Sequence, residues 1–368
     1  MLANPPVVSS PPFRLGSLWS RLFRRQTRSP LRPESPTRRS GGVVERDEPV
    51  TEVLLTSAIE TLLGVDFSKL PAPVPLSDEA ETLAQRVVAY FKKRPPALDA
   101  FPQSSMRVLQ LVAEPNITYR QLGAIIGRDP AMSAEVIRVS NSAFYCGVQK
   151  IHSISDAMSR VGMQEIARIV GIIASRSLFD TRIASERSLF AAAAAQIRHQ
   201  SIATAIVASG LSLELRDGQS DRAFTGGILH DIGKSLALRS LAGLVLDEGL
   251  KIDAGDPKIF EVVERVHVEV GLLAHETWKL PPCLCLMAQL HHERGADVES
   301  RLGRVDFHAV RLTSALGLFR NAPELHLQAP CEILESAHAL KLTPERFRVL
   351  EAERQRAEEK AQALLGVE

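Results

Sequence analysis

Aromatic side chains are scarce in this chain, at 5% of 368 residues, and cysteines number only four. Cys146, Cys283, Cys285 and Cys331 make no CxxC pair and no framework spacing, so a disulfide-stapled secreted scaffold is excluded and reduced core thiols are expected. Neither sign of charge is in excess, with 44 Lys+Arg against 43 Asp+Glu, and nothing global favours a nucleic acid, a membrane surface or an acidic substrate. No stretch approaches the roughly 18 to 20 uninterrupted apolar residues that a membrane span needs. The first residues also lack the apolar run and small-residue cleavage site of a secretory signal, so the expected compartment is the cytoplasm. A hydrophobic content of 45% suffices for one large or two ordinary cores.

Residues 1–48 are rich in Pro, Ser and Arg, and up to Gly42 they hold eight arginines against one acid, Glu34. Such a segment cannot bury enough apolar surface to offset its ordering entropy, and a disordered basic tail is expected. Within it, Phe13, Leu15, Leu18, Trp19, Leu22 and Phe23 recur beside Arg21, Arg24 and Arg25, a pattern suited to weak contact of residues 13–25 with an anionic membrane surface. Residues 49–76 carry a short helical pattern and then the stiff linker Leu70-Pro71-Ala72-Pro73-Val74-Pro75.

From Ser77 onwards the pattern is helical throughout. Ser77-Asp78-Glu79 makes a helix start, and Leu83, Val87, Val88 and Phe91 follow on one face. Turn signals such as Glu114-Pro115-Asn116, Asp129-Pro130 and Leu280-Pro281-Pro282 separate further segments of this period, with few alternating β-branched runs. The expected fold class is all-α, with Ala- and Leu-rich helices in close contact. Asp129 and Pro130 have the form of an N-cap and first helical residue, leading into Met132, Val136, Ile137 and Val139. Asn141 and Ser142 then interrupt the apolar face and need backbone partners, or else mark a contact surface. After Thr343-Pro344-Glu345 a Glu/Arg/Ala-rich stretch predicts one exposed terminal helix.

The chemistry concentrates at Gly226-Gly227-Ile228-Leu229-His230-Asp231-Ile232-Gly233-Lys234, where an adjacent His and Asp sit in an apolar run. Burying a carboxylate is costly unless a cation meets it, and a metal ion would use both side chains. Lys234, one turn on, can pair with Asp231 as a plain salt bridge or reach a phosphate. His199, His267 and the pair His291 and His292 fall one group per expected helix around this doublet, which makes the set a candidate metal-binding constellation.

Leu229-His230-Asp231-Ile232-Gly233-Lys234 resembles the signature of the HD phosphohydrolases and their HD-GYP relatives, as do the upstream His, the later His and His291-His292-Glu293. The amino-terminal half narrows the resemblance. Arg128-Asp129-Pro130-Ala131-Met132, Asn141-Ser142-Ala143-Phe144-Tyr145, Ile151-His152-Ser153-Ile154-Ser155-Asp156-Ala157 and Val161-Gly162 are similar to the first lobe of HDOD domains, and so is His267-Val268-Glu269-Val270-Gly271 running on to Trp278-Lys279-Leu280-Pro281. The likeness spans about residues 94–295. It implies a two-lobed HDOD bundle at 77–300, with lobes at 77–185 and 186–300, followed by a helical extension at 301–368.

The resemblance also implies bacterial signal transduction through signalling protein partners, with a small nucleotide as an alternative ligand. An enzyme of this superfamily would hold a divalent metal (Mn, Fe or Mg) on His199, His230, Asp231 and a later histidine, with Lys234 on the phosphate. Two departures weigh against turnover. Where HD hydrolases close the site with an Asp, this chain has Thr313 and Ser314, and a neutral hydroxyl is a poor substitute for a carboxylate. Asp306 is about 12 Å along the same helix and too far to stand in. No Gly-Tyr-Pro follows Arg294-Gly295-Ala296-Asp297. The expected function is therefore a non-catalytic regulatory module that needs no cofactor, with a degenerate phosphohydrolase as the alternative.

Overall fold

A computed structural model describes residues 48–70, 76–94, 118–142, 144–145, 149–179, 189–253, 255–296, 298, 303–322 and 326–365. Expectations for the basic tail up to residue 47, its segment 13–25, linker residues 71–75, and Cys146 lie outside them. Apart from one short 3-10 turn, Phe67–Lys69, every regular element among the described residues is an α-helix, and none of these helices is long and apolar enough to cross a membrane. Cys283, Cys285 and Cys331 are free thiols.

The helices begin where short polar side chains can take up orphan backbone N–H groups. In α2 (Asp78–Lys93) the Ser77 hydroxyl accepts from the Ala80 N–H. In α3 (Tyr119–Gly127), after α1 (Glu48–Leu63), Thr118 and Gln121 form a reciprocal capping box. Asp129 caps α4 (Pro130–Ser140) by accepting from Ala131 and Met132 N–H at 2.9 and 3.1 Å, with Pro130 as first helical residue. Ser153 caps α5 (Ile154–Val161) in the same way, ahead of α6 (Met163–Phe179). These four helices, α3 to α6, pack on one another.

Asn141 closes that group. Its Nδ2 donates to the carbonyls of Ile137 and Ile151 at 2.9 and 2.8 Å, and its Oδ1 accepts from the Ile151 N–H at 2.8 Å. One amide thus ties the end of α4 to the stretch of chain entering α5. Asn141→Ala is expected to cost about 2 to 3 kcal/mol, because Ile151 loses both backbone partners. Urea unfolding combined with amide exchange at Ile151 checks this; exchange unchanged by the substitution would contradict it. The neighbouring Ser142 hydroxyl is buried and makes no hydrogen bond.

The chain continues through α7 (Ala191–Glu214), α8 (Ser220–Leu229), α9 (Ile232–Glu248), α10 (Pro257–Thr277), α11 (Pro282–Leu290), α12 (Arg304–Asn321), α13 (Ala329–Ala339) and α14 (Pro344–Leu365), with α2 packed on α9 and α10. Small residues set the helix spacing. A Cβ on Gly227 of α8 would come 2.5 Å from the Ala205 Cα of α7, and one on Gly233 of α9 would fall on the carbonyl oxygen of His267 in α10. Glycine at both positions lets backbones meet directly, as the small residues after His199 suggest. α12 lies beyond residue 300 yet is buried along almost its whole length, between α7, α8 and α13.

The terminal helix differs from the sequence expectation. Phe347, Leu350, Arg354, Ala357 and Ala361 of α14 are buried against the bundle, chiefly on α7. Their spacing of three and four residues is a helical face. Arg354 disguises it in the sequence, but its Nε donates to the Thr313 carbonyl at 3.0 Å, and its Nη2 meets Gln200 Oε1 at 2.6 Å and Glu358 at 2.9 Å.

Candidate metal centre

The His-Asp doublet sits where two helices meet. α8 ends at Leu229, His230 is its C-cap, and Asp231 is the residue before α9. Both side chains are buried at this junction, at 3% and 5% exposure. His275 of α10 is fully buried and donates through Nε2 to the Leu229 carbonyl at 3.3 Å, which pins the end of α8.

Asp231, His267, His291 and His292 each present a ligand atom within 4.8 Å of all the others, a geometry fit for one metal ion. The first three are buried, and His292 is partly so. His267 comes from the middle of α10, and the histidine pair from the end of α11. Arg311 of α12 holds that end in place by donating to the His291 carbonyl at 2.9 Å and the Glu293 carbonyl at 2.8 Å.

Outer hydrogen bonds fix which ring nitrogen faces the centre. His267 Nδ1 is 2.7 Å from the Glu264 carbonyl, and His291 Nδ1 is 3.0 Å from the Ala288 carbonyl. A carbonyl only accepts, so each Nδ1 carries the proton and each Nε2 a bare lone pair. These two Nε2 atoms are 3.3 Å apart, and Asp231 Oδ1 lies 3.6 and 3.3 Å from them. Asp231 Oδ1 and His292 Nε2 are both buried without a hydrogen-bond partner. Burial pushes the His267 imidazole down to about 3 and lowers His291 as well, so neither supplies a proton near neutrality. Lone pairs thus converge on a point with no hydrogen between them, and the donor set fits a cation.

Lys234 does not reach that point as a free charge. Its Nζ lies 3.1 Å from Asp231 Oδ2 and 2.8 Å from Glu264 Oε1. Burial works against the ammonium, but the two carboxylates outweigh it and raise the lysine. The same lysine overcomes the burial penalty on Asp231, holding it well below the usual carboxylate range, and on Glu264, which drops to about 2.

His230 stands at the edge of the set. Its Nδ1 bonds the Gly227 carbonyl at 3.0 Å, and its Nε2 accepts from the Ser314 hydroxyl at 2.9 Å. The position where an acid is expected therefore gives His230 a hydrogen-bond donor. Burial takes this imidazole down to about 4. His199 lies inside α7, whose first turns are the five alanines 191–195, and it does not join the converging donors. Asp306 is engaged elsewhere, accepting from the Ser212 hydroxyl, the Gln219 N–H at 2.7 Å and Arg222 at 2.5 Å. Trp278 is the buried C-cap of α10, outside the donor set.

Glu264 and Glu332 were not anticipated. Glu264 is one turn before His267 in a Val-rich stretch, and Glu332 stands in the apolar run Pro330 to Leu334. Those settings are the signal that either side chain faces inward.

The family model of the HDOD domain matches residues 98–294, and the chain belongs to the HDOD family. Its fold is similar to that of a protein provisionally named a metal-dependent phosphohydrolase from Shewanella amazonensis SB2B, with TM-score 0.53 and 20% identity over 77% of this chain and 99% of that one. A protein provisionally named for signal transduction, from Marinobacter aquaeolei VT8, aligns at 19% identity and TM-score 0.49 over 87% of this chain and 69% of that one. A curated relative, an uncharacterized protein of Treponema pallidum (strain Nichols), is 23% identical over 226 residues. That match takes in 60% of this chain and 42% of the relative.

Proposed function

We propose that this HDOD chain is a non-catalytic signalling module built around a buried single-ion centre, which fixes the second lobe for recognition of a signalling protein partner. The observation that carries this reading is the 2.9 Å bond between His230 and Ser314, which engages the first histidine of the doublet in a neutral hydrogen bond. Four donors remain around one point. Three imidazoles and one carboxylate suit Mn(II), Fe(II) or Zn(II) better than Mg(II), which prefers oxygen ligands.

A divalent ion held on Asp231, His267, His291 and His292 would polarise an oxygen bound to it. Hydrolysis also needs an open coordination position and a group to receive the phosphate. Lys234, the cation expected to do so, is nearly fully buried between Asp231 and Glu264. The chain's own residues thus support holding an ion in place more than turning over a substrate. The name of the Shewanella protein favours the second reading, a metal-dependent phosphohydrolase.

Elemental analysis of the purified full chain, followed by assays on phosphodiesters and nucleotides with Mn(II) or Fe(II), distinguishes the two. About one equivalent of metal and no turnover is the expected outcome. Two equivalents, with turnover that His230→Ala abolishes, would establish the hydrolase instead.

A further inference from the structure

Three imidazoles, those of His230, His267 and His291, share one arrangement in which Nδ1 donates to the carbonyl three residues earlier. His292 departs from it. Its Nδ1 lies 2.8 Å from Glu332 Oε1, and Glu332 is buried, at 5% exposure. The partner of this ring is therefore a carboxylate supplied by α13, from beyond the matched residues 98–294.

A carboxylate on Nδ1–H has two consequences for Nε2. It holds the proton on Nδ1, so that Nε2 keeps its lone pair, and it makes the ring a stronger donor than a carbonyl partner would. His292 Nε2 is buried and has no hydrogen-bond partner. The bond to Glu332 also fixes the ring plane, leaving that nitrogen oriented with the other donors.

Charge points the same way. Asp231, Glu264 and Glu332 bring three carboxylates to this region against the one ammonium of Lys234, so the carboxylates outnumber this fixed cation by two. Arg311 is matched separately by Glu335 at 2.9 Å. A buried excess of two negative charges is costly alone and is cancelled by one divalent cation.

We infer that Glu332 is the positioning residue of this metal centre, orienting and strengthening His292 and supplying a negative charge where Ser314 has replaced the expected acid. This rests on the single-ion reading above. The helical segment beyond the family match is then part of the site.

The test uses the full chain stripped of metal and titrated with Mn(II) and Co(II). Wild type that binds neither ion defeats the single-ion reading itself, whereas the present inference concerns only how the variants compare with a wild type that binds. Glu332→Gln is expected to weaken both ions about 10- to 100-fold. Glu332→Asp, which keeps the charge at shorter reach and guards against a misfolded Gln variant, is expected to fall between. Co(II) absorption should shift in Glu332→Gln and remain unchanged in Glu248→Gln, a control at the far end of α9 whose exposed carboxylate pairs with Arg86 and touches no imidazole. In a His292→Gln background, Glu332→Gln should add a smaller loss than it causes in wild type, since only its charge remains to be removed. Equal affinity in wild type and Glu332→Gln, an equal loss in Glu248→Gln, or a full additional loss in the His292→Gln background would each overturn the assignment.

Discussion

Gly233→Ala is expected to lower stability by about 3 kcal/mol and to abolish tight metal binding at the same time. The methyl group would overlap the His267 carbonyl and come 2.7 Å from the Gly271 N, and both are backbone atoms that no rotamer change can move. Only a separation of α9 from α10 relieves the overlap, and overpacking of this kind costs about 1 to 3 kcal/mol, at the upper end when backbone must shift. Asp231 precedes α9 and His267 rides on α10, so the same separation pulls two metal donors apart. Gly210→Ala is the control. It lies within α7 with nothing near its would-be Cβ, and it should be neutral or stabilise by up to about 1 kcal/mol. Urea denaturation and Mn(II) titration of both variants check this; a Gly233→Ala chain as stable as wild type would show that the helices are not held at this spacing.

Acid should unfold the metal-free chain well above the pH at which carboxylates titrate. Burial depresses His230 to about 4, His267 to about 3 and His275 to about 4. Between these values and about 6.5 the unfolded chain binds three protons that the folded chain does not, so stability rises with pH across that window and falls as acid is added. The limiting slope is about 1.4 kcal/mol per group per pH unit, so going from pH 6.5 to 4.5 removes several kcal/mol, a large share of the stability of a typical domain. Glu264, depressed to about 2, contributes stability that is present above about 4.5 and is lost only below that pH. His292 has the opposite sign. Burial opposes its charged form, Glu332 outweighs burial and raises it, and its contribution is lost only as pH rises above about 6.5. The urea midpoint is therefore expected to drop steeply between pH 6.5 and 4.5, and a midpoint constant over that range would contradict the neutral, buried state of these imidazoles.

Helix starts were the most legible part of the fold. Ser77, Asp129 and Pro130 cap as expected because capping depends on a side chain and backbone groups two or three residues away. The burial of α14 was not legible, since Arg354 on its inner face reads as solvent-facing until Gln200 and the Thr313 carbonyl are brought to it. His199 illustrates the converse. It carries the right chemistry for a ligand, but its place inside α7 keeps it out of the donor set.

Local chemistry determined what needs only neighbours in the chain: an all-helical fold, its caps, and a histidine-aspartate doublet bounded by glycines. The identity of the converging donors depended on side chains up to 61 residues apart, from Asp231 to His292, and the charge that surrounds them extends to Glu332. Distance in space is set by helix packing, and here by Gly227 and Gly233 letting backbones touch. A glutamate has the same sequence signature whether it meets water or an imidazole, so only the packed structure could assign Glu264 to a lysine, Glu332 to a histidine and Ser314 to His230.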